Sequence, residues 1–291
     1  MQAIEYVAPA SLDEAVGVLA KHGELARVLA GGTDVIIQAR EGRRNVGVMV
    51  DVKAIPEMTV LALSADGSLR IGAATACARI YGDAAIAKAF PALIDSAALI
   101  GGIQIQSRAS LGGNLCNASP SADSICPMIV HSGVAVIAGA TGTREVAVEN
   151  FCTAPGKSVV KPGELLVKVQ FPKPAAGFGA AYERFIPRNE MDIAVVGVAS
   201  SVVLDSTGKK FKSARIALAA VGPTPIFAKA ASDYLAGKTV SAESIAEAAS
   251  MARDAAKPIT DMRGTIDQRK QLVEVLTRRT LNKAVARAKG K

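Results

Sequence analysis

Aromatic and reactive side chains are scarce in this sequence of 291 residues. It has no Trp, only two His and 4% aromatic residues in total. Because 50% of the residues are hydrophobic, the core must be built from Ala, Val, Ile and Leu. We find no Ser, His and Asp set typical of nucleophilic catalysis. His22 and His131 lie outside every motif described below, so we expect structural or exposed positions for both and predict no catalytic residue in this chain.

Cysteines are also few. The four Cys residues, at 77, 116, 126 and 152, include no closely spaced pair. A disulfide framework is not expected in a cytosolic chain of this size, and a metal or iron–sulfur site normally shows a tighter set such as C-x-x-C. The spacing therefore favours free or buried thiols and no metal site.

Long apolar runs are missing. A membrane helix needs roughly 18 apolar residues, and the longest candidate, residues 193–204, is strand-like. The first ten residues have neither a basic start nor a continuous apolar stretch, so we expect no signal peptide and a cytoplasmic protein. The mean hydropathy of +0.28 is high for a soluble monomer, which is consistent with partner subunits covering part of the surface.

Positive charge is concentrated at one end of the chain. The formal net charge is +8, and residues 257–291 hold ten Lys or Arg against three Asp or Glu. This segment has no aromatic residue for stacking on bases. Its apolar residues follow helical spacing, which favours a solvated or subunit-facing helix over a nucleic-acid interface: Val273, Leu276, Leu281, Ala284 and Ala288.

The first 55 residues predict a small α/β unit. Ser11 and Glu14 form the pattern of a capping box at the start of an amphipathic helix. A short strand then runs into Gly31 and Gly32, a second helix is expected over residues 34–41, and another strand over residues 46–52. Two strands separated by a helix are typical of parallel pairing.

From about residue 58 the pattern changes to short strands and turns. We expect two hairpins with turns at ADGS and ATGT, two helical stretches near residues 79–100 and a strand closed by Pro172. The Pro- and Gly-rich segment 172–179 is the best candidate for a domain boundary. Beyond it, two long strands precede three helices, near residues 225–236, 241–256 and 267–288. The chain is therefore predicted to be α+β, with domains over residues 1–174 (subdomains of about 1–55 and 56–174) and 175–291.

Gly-Gly pairs with small polar neighbours occur in two segments. LAGGTDVII at 29–37 lies between a predicted strand and helix, where backbone without a Cβ atom can approach a phosphate and direct its N–H groups at it. A single pair of this kind is more often only a tight turn. The segment 100–124 adds two more pairs together with Ser, Asn and Asp side chains, and we interpret it as a long loop around a polar, elongated ligand. The G-x-G-x-x-G fingerprint of nicotinamide-binding domains is missing.

Residues 29–36, 100–124 and YERFIPRNEMDIAVV at 182–196 resemble the FAD-binding medium subunit of molybdenum hydroxylases. This family includes the medium chain of carbon monoxide dehydrogenase and the flavin domain of xanthine dehydrogenase. The resemblance covers essentially the whole chain. It implies a PCMH fold of the vanillyl-alcohol-oxidase type, in which two α/β subdomains enclose FAD and a C-terminal domain of antiparallel sheet and helices packs beside them.

The resemblance also implies roles for individual residues. Those at 28–35 would wrap the pyrophosphate, and Ser110, Gly113 and Asn114 would continue the cradle. Asp123 would bind a polar group of the cofactor, and residues 100, 101 and 166 would line the flavin. Arg184 stands where the family usually has Lys, which keeps the charge but changes the geometry. Gln106 replaces a common basic residue, and Ser110 stands where Thr is frequent. The predicted cofactor-binding residues are Val28, Leu29, Ala30, Gly31, Gly32, Thr33, Asp34, Val35, Ile100, Gly101, Ser110, Gly112, Gly113, Asn114, Asp123, Leu166 and Arg184.

In such complexes the substrate is oxidised at a molybdenum cofactor on a large subunit, and electrons pass through 2Fe–2S clusters on a small subunit to FAD. We therefore expect non-covalent FAD here, both of those partners, a dimer of heterotrimers and an external electron acceptor. Two other interpretations stay open: a stand-alone flavin-dependent oxidoreductase of the same fold, and a structural subunit whose glycine loops are only turns. An extra Cys-bearing insert for a 4Fe–4S cluster, found in one relative, is absent between residues 114 and 152. The substrate (CO, a purine, an N-heterocycle or an aldehyde) and the acceptor are not determined by this sequence.

Overall fold

The computed structural model describes residues 3–189 and 191–290. The N-terminal unit is a parallel sheet in the order β1-β3-β2, with Glu5 beside Val48 and Ala26 also beside Val48. Its elements are β1 (Glu5–Val7), α1 (Leu12–His22), β2 (Ala26–Leu29), α2 (Val35–Arg40) and β3 (Val48–Asp51). The predicted parallel α/β unit is therefore confirmed.

Local sequence explains how α1 begins. The Ser11 hydroxyl accepts a hydrogen bond from the Glu14 N–H at 3.3 Å, as expected for an N-cap. The Glu14 carboxylate reaches back to the N–H of Ala10 at 2.8 Å, one residue earlier than a standard capping box places it. Ala15, Val16 and Leu19 are buried and anchor the helix on the core.

The middle part of the chain contains an antiparallel sheet in the order β4-β5-β10-β6-β7, with short helices beside it. Both predicted hairpins are present, since Leu63 pairs with Leu69 and Gly139 pairs with Gly142. The strands are β4 (Leu61–Leu63), β5 (Leu69–Gly72), β6 (Val134–Gly139), β7 (Gly142–Ala147), β8 (Cys152–Ala154), β9 (Lys157–Ser158) and β10 (Leu165–Phe171). The helices are α3 (Cys77–Tyr81), α4 (Ala84–Ala89), α5 (Pro91–Ala97), α6 (Ile103–Gln106), α7 (Leu111–Asn117) and α8 (Ile125–Val130).

Two predictions for this part need correction. The two helical stretches predicted near residues 79–100 are instead three short helices, α3, α4 and α5, because Asp83 caps α4 and Pro91 starts α5. The segment 100–124 is not one long loop, since it contains α6 and α7. The Ser110 side chain caps α7, and Leu111 and Leu115, one helical turn apart, are buried. The cap and the buried leucines together stabilise a helix here despite the glycines.

The C-terminal part is an antiparallel sheet in the order β11-β12-β13-β14 covered by helices. Its elements are β11 (Phe178–Phe185), β12 (Val196–Leu204), β13 (Phe211–Ala219), β14 (Ile226–Phe227), α9 (Lys229–Leu235), α10 (Ala242–Ala255) and α11 (Ile266–Ala288). The basic C-terminal segment is indeed a helix with Val273, Leu276 and Leu281 buried. The α+β architecture with a C-terminal antiparallel sheet is confirmed.

Long-range polar contacts fasten this C-terminal sheet to the middle of the chain. The Arg287 guanidinium of α11 donates to both carboxylate oxygens of Asp95, at 2.6 and 2.8 Å, and to the Ala180 carbonyl at 2.7 Å. The Ser201 hydroxyl donates to the Val130 carbonyl at 2.8 Å. The core also runs through this junction, because Ala180, Tyr182 and Ala199 pack in the same cluster as the first two sheets.

Candidate functional site

A cavity of about 600 Å³ lies where the parallel sheet meets the middle part of the chain. Its wall is formed by β2 and the turn that follows it, by α7, and by the β8–β9 hairpin with the turn before β10. The Gly-Gly pairs at 31–32 and 112–113 both border this one cavity. The tertiary structure thus brings together two motifs that lie about eighty residues apart.

The first of these pairs shapes the turn between β2 and α2. A Cβ atom on Gly31 would lie 2.1 Å from the Arg108 carbonyl oxygen, so only glycine allows these two segments to approach. Gly32 has φ +81°, a conformation that other residues rarely adopt. Within residues 3–189 and 191–290, the N–H groups of Gly31, Gly32 and Thr33 have no protein acceptor. This turn therefore presents unpaired backbone donors at the cavity wall.

The second of these pairs lies in α7. The Ser110 hydroxyl accepts from the Gly113 N–H at 3.1 Å, and the Cys77 N–H donates to the Ala109 carbonyl at 2.8 Å, which fixes the start of the helix. A Cβ atom on Gly112 would lie 2.5 Å from the Ala73 Cα atom. Gly113 has only the Ser110 hydroxyl nearby, at 3.0 Å, and otherwise faces open space. Gly112 is thus a packing position, and Gly113 leaves room beside the cavity.

Most of the predicted cofactor-binding residues line the cavity. Leu29 does not, since it is buried with Val46 and Met49 on the opposite face of the sheet. Gly101, which has φ +62°, is not a lining residue itself but follows Ile100, which is. Asp123 and Arg184 are also outside the lining. The predicted residues that line the cavity are Val28, Ala30, Gly31, Gly32, Thr33, Asp34, Val35, Ile100, Ser110, Gly112, Gly113, Asn114 and Leu166.

Asp123 and Arg184 contact each other instead. The Arg184 Nη1 atom donates to Asp123 Oδ2 at 2.5 Å, and the Tyr182 hydroxyl donates to Asp123 Oδ1 at 2.6 Å. The side chains of the ion pair are 7% and 11% exposed. Burial raises the pKa of Asp123, while the charge and hydrogen bonds of its two partners act in the opposite direction. Burial and the nearby carboxylate also raise the pKa of Tyr182 well above its ordinary value.

The lining contains polar residues that sequence reasoning missed. Gln38 Nε2 donates to Asn117 Oδ1 at 3.0 Å, which joins α2 to α7 across the cavity wall. The hairpin at 152–158 and the turn at 161–164 close another side. Pro-Gly dipeptides at 155–156 and 162–163 mark both turns in the sequence and are the signal that could have located them.

The cavity carries more positive than negative charge. Arg27, Arg44, Lys157 and Lys161 line it, and none of the four forms an ion pair within the described residues. The Glu164 carboxylate on the same wall is neutralised by Arg144, which donates to it at 2.9 and 2.6 Å. Burial lowers the pKa of Arg27, and it raises the pKa of the Asp34 carboxyl. A cavity of this charge is suited to an anionic ligand.

Outside this cavity, the described ranges hold neither a metal centre nor a membrane span. No group of three or more His, Cys, Asp or Glu in those ranges is arranged to hold a metal ion. Among the helices of that same part of the chain, none combines the length and apolarity required to span a membrane.

Gln106, another departure from the family pattern, is buried and donates to the Ala98 carbonyl at 2.9 Å while accepting from the Tyr81 hydroxyl at 3.1 Å.

The parallel and antiparallel sheets and the glycine-lined cavity define the class of the protein as an α+β fold with a cavity suited to an anion, and comparison with known sequences specifies the family. Residues 2–174 match the FAD binding domain in molybdopterin dehydrogenase, and residues 180–284 match the CO dehydrogenase flavoprotein C-terminal domain. The chain therefore belongs to the family of FAD-binding subunits of molybdopterin dehydrogenases.

Individual relatives are similar over nearly their whole length. The chain is 34% identical to the xanthine dehydrogenase FAD-binding subunit of Escherichia coli O157:H7, covering 98% of this chain and 97% of the relative. It is 31% identical to the carbon monoxide dehydrogenase medium chain of Afipia carboxidovorans, with 98% of both covered. A chain of the solved carbon monoxide dehydrogenase from Hydrogenophaga pseudoflava superposes with a TM-score of 0.93 at 30% identity, again with 98% of both covered.

Proposed function

We propose that this protein is the FAD-binding electron-transfer subunit of a molybdenum-containing hydroxylase or dehydrogenase complex. The observation that carries the proposal is the cavity wall at Gly31, Gly32 and Thr33, where unpaired backbone N–H groups and cationic side chains border the same cavity. The pyrophosphate of FAD has the negative charge and acceptor oxygens that such a wall requires.

The residues present fit the cofactor. The turn at 30–34 and the start of α7 at 110–114 would hold the pyrophosphate from two sides, because both border the cavity and Gly113 leaves space there. Ile100 and Leu166 supply apolar surface for the flavin ring. When bound, FAD accepts and releases electrons, and the part of this chain is to bind it, orient it and shape its surroundings.

The names of the relatives support the partner assignment. A FAD-binding subunit and a medium chain are components of larger enzymes, so we propose a small subunit with 2Fe–2S clusters and a large subunit with the molybdenum cofactor. A dimer of heterotrimers, a cytoplasmic location and an external electron acceptor belong to the same proposal. So does the division of the chain into domains over residues 1–174 and 175–291.

Four measurements on the purified chain test the proposal: FAD binding, release of FAD by acid, reduction by dithionite and substrate turnover. FAD added to apoprotein should bind with quenched fluorescence, and acid precipitation should release it into the supernatant, since we predict no covalent link. FAD bound to the isolated chain should be reduced by dithionite, but the isolated chain should not oxidise CO, an aldehyde or a heterocycle. Failure to bind FAD would support a purely structural subunit, and substrate turnover without molybdenum would support a stand-alone oxidoreductase.

A further inference from the structure

The buried hydroxyl of Tyr182 makes one hydrogen bond of particular interest. Tyr182 lies in β11 and is 2% exposed, and its hydroxyl donates to Asp123 Oδ1 at 2.6 Å. The ring fits because the neighbouring strand carries Gly197, where a Cβ atom would lie 2.6 Å from this hydroxyl. Gly197 thus leaves space for the Tyr182 hydroxyl. A buried hydroxyl normally has a hydrogen-bond partner, and here that partner is Asp123.

Asp123 is held from the C-terminal sheet on both of its oxygens. Arg184, two residues further along β11, donates to Oδ2 at 2.5 Å. The segment that carries Asp123 is fixed by a backbone bond as well, since the Ala220 N–H donates to the Pro120 carbonyl at 2.7 Å. The orientation of this carboxylate is therefore set by residues that lie outside the cavity.

A short path connects Asp123 to the cavity wall. The next residue in the chain, Ser124, donates its hydroxyl to Asn114 Oδ1 at 2.6 Å and its N–H to the same atom at 3.4 Å. Asn114 lines the cavity within α7. A change in the position of the segment at 120–124 is thus transmitted directly to a residue of the proposed cofactor cradle.

We propose that Tyr182 is a positioning residue of the flavin site, which holds the Asp123 carboxylate and, through Ser124, the Asn114 side chain in the orientation that the cofactor requires. This inference rests on the proposed function, because it needs FAD to occupy the cavity. Tyr182 does not contact the cofactor in this proposal. It acts through Asp123 and, by way of Ser124, through Asn114.

The charges around Asp123 give the expected pH behaviour. Its carboxylate faces the Arg184 guanidinium, the Tyr182 hydroxyl and the Cys126 thiol. The hydrogen bond from Tyr182 lowers the pKa of Asp123 against the effect of burial. Removal of that hydroxyl should therefore raise the pKa of Asp123, so that the carboxylate is protonated at a higher pH. Its ion pair with Arg184 is then weakened, and the position of Asn114 is lost earlier as the pH falls.

The test is a titration of the full chain with FAD at several pH values, in which binding is measured by the quenching of FAD fluorescence. Because Tyr182→Phe removes the donor that fixes Asp123 and, through Ser124, Asn114, we expect it to bind FAD about tenfold more weakly, which corresponds to about 1.4 kcal/mol of binding free energy. The pH at which affinity falls should move upward. In an Asp123→Asn background, Tyr182→Phe should change the affinity by less than about twofold, because the two residues act as one unit.

Tyr234→Phe is the matched control, because Tyr234 lies in α9 and its hydroxyl forms no hydrogen bond within the described residues. Gly197→Ala displaces the Tyr182 hydroxyl without removing it and should weaken FAD binding in the same way, which keeps the proposal testable if Tyr182→Phe folds poorly. Wild-type affinity and pH profile in a folded Tyr182→Phe protein would overturn the inference, as would an equal loss whether or not Asp123→Asn is also present. If the wild-type chain itself fails to bind FAD, the proposed function is refuted instead.

Discussion

The Gly-Gly pairs at 31–32 and 112–113 look alike in the sequence and border the same cavity, but their glycines serve different purposes. Gly31 and Gly112 face other parts of the backbone, where a Cβ atom would lie 2.1 Å from the Arg108 carbonyl oxygen and 2.5 Å from the Ala73 Cα atom, respectively. Among the described residues, a Cβ atom on Gly113 would meet only the Ser110 hydroxyl, at 3.0 Å, and would otherwise face open space beside the cavity. The comparison teaches that one glycine in a pair can be needed for packing while its neighbour makes room for a ligand.

The largest expected effect is that of Gly31→Ala. Its methyl group must displace a backbone carbonyl, which is less adaptable than a side chain. Overpacking typically costs about 1–3 kcal/mol, and we expect this substitution to reach about 3 kcal/mol and to abolish FAD binding. Urea unfolding measures the first effect and FAD titration the second. A stability equal to that of the wild type would show that the segments at 31 and 108 separate easily.

Gly112→Ala should have the next largest effect. The added methyl group meets the backbone and side chain of Ala73, at 2.5 and 2.6 Å, where the start of α7 packs on the end of β5. We expect a loss of about 2 kcal/mol in the free energy of unfolding. FAD affinity should decrease only to the extent that the added methyl group displaces α7. A variant that folds normally yet has lost all FAD binding would therefore contradict the packing role.

Ser110→Ala should cost less. Its hydroxyl caps α7 by accepting from the Gly113 N–H at 3.1 Å, and loss of such a cap typically costs about 1 kcal/mol. Because the same residue lines the cavity, FAD affinity should fall as well. Ser110→Thr retains the hydroxyl and should keep most of both properties. Equal losses in the two variants would mean that the cap is not responsible.

Gly113→Ala should have the smallest effect on stability. Gly113 lies within α7 and is not among the glycines with positive φ, so a side chain there is not forced into unfavourable dihedrals. Replacing a helical glycine with alanine is favourable by up to about 1 kcal/mol, which offsets the contact with Ser110. Unfolding should therefore be nearly unchanged.

FAD affinity should nevertheless fall in Gly113→Ala and fall further in Gly113→Val, because the new side chain occupies space beside the cavity. Gly17→Ala is the matched control, since Gly17 lies in α1 with nothing within 4 Å of the added atom. Full flavin occupancy and wild-type affinity in Gly113→Val would show that this glycine has no role in making room for a ligand.

Much of the fold could be predicted from the sequence because its signals are local. The cap at Ser11, the hairpin turns and the apolar spacing of α11 each depend on residues within one or two turns of chain. The segment at 100–124 was misinterpreted as a loop because its glycines and polar residues outweighed the Ser110 cap and the buried leucines of α7. The Pro-Gly turns that close the cavity were not recognised as part of the site, since a turn signal contains no information about what the turn will face.

The sequence by itself determined the types of element, the positions of the glycine pairs and, through its motifs, the family. Only the tertiary structure decided which glycine packs against backbone and which leaves open space. It also decided that Asp123 meets Tyr182 and Arg184, which are 59 and 61 residues further along the chain. The physical reason is that secondary structure follows from short-range periodicity and hydrogen bonding, whereas contacts between distant segments depend on how whole sheets and helices pack.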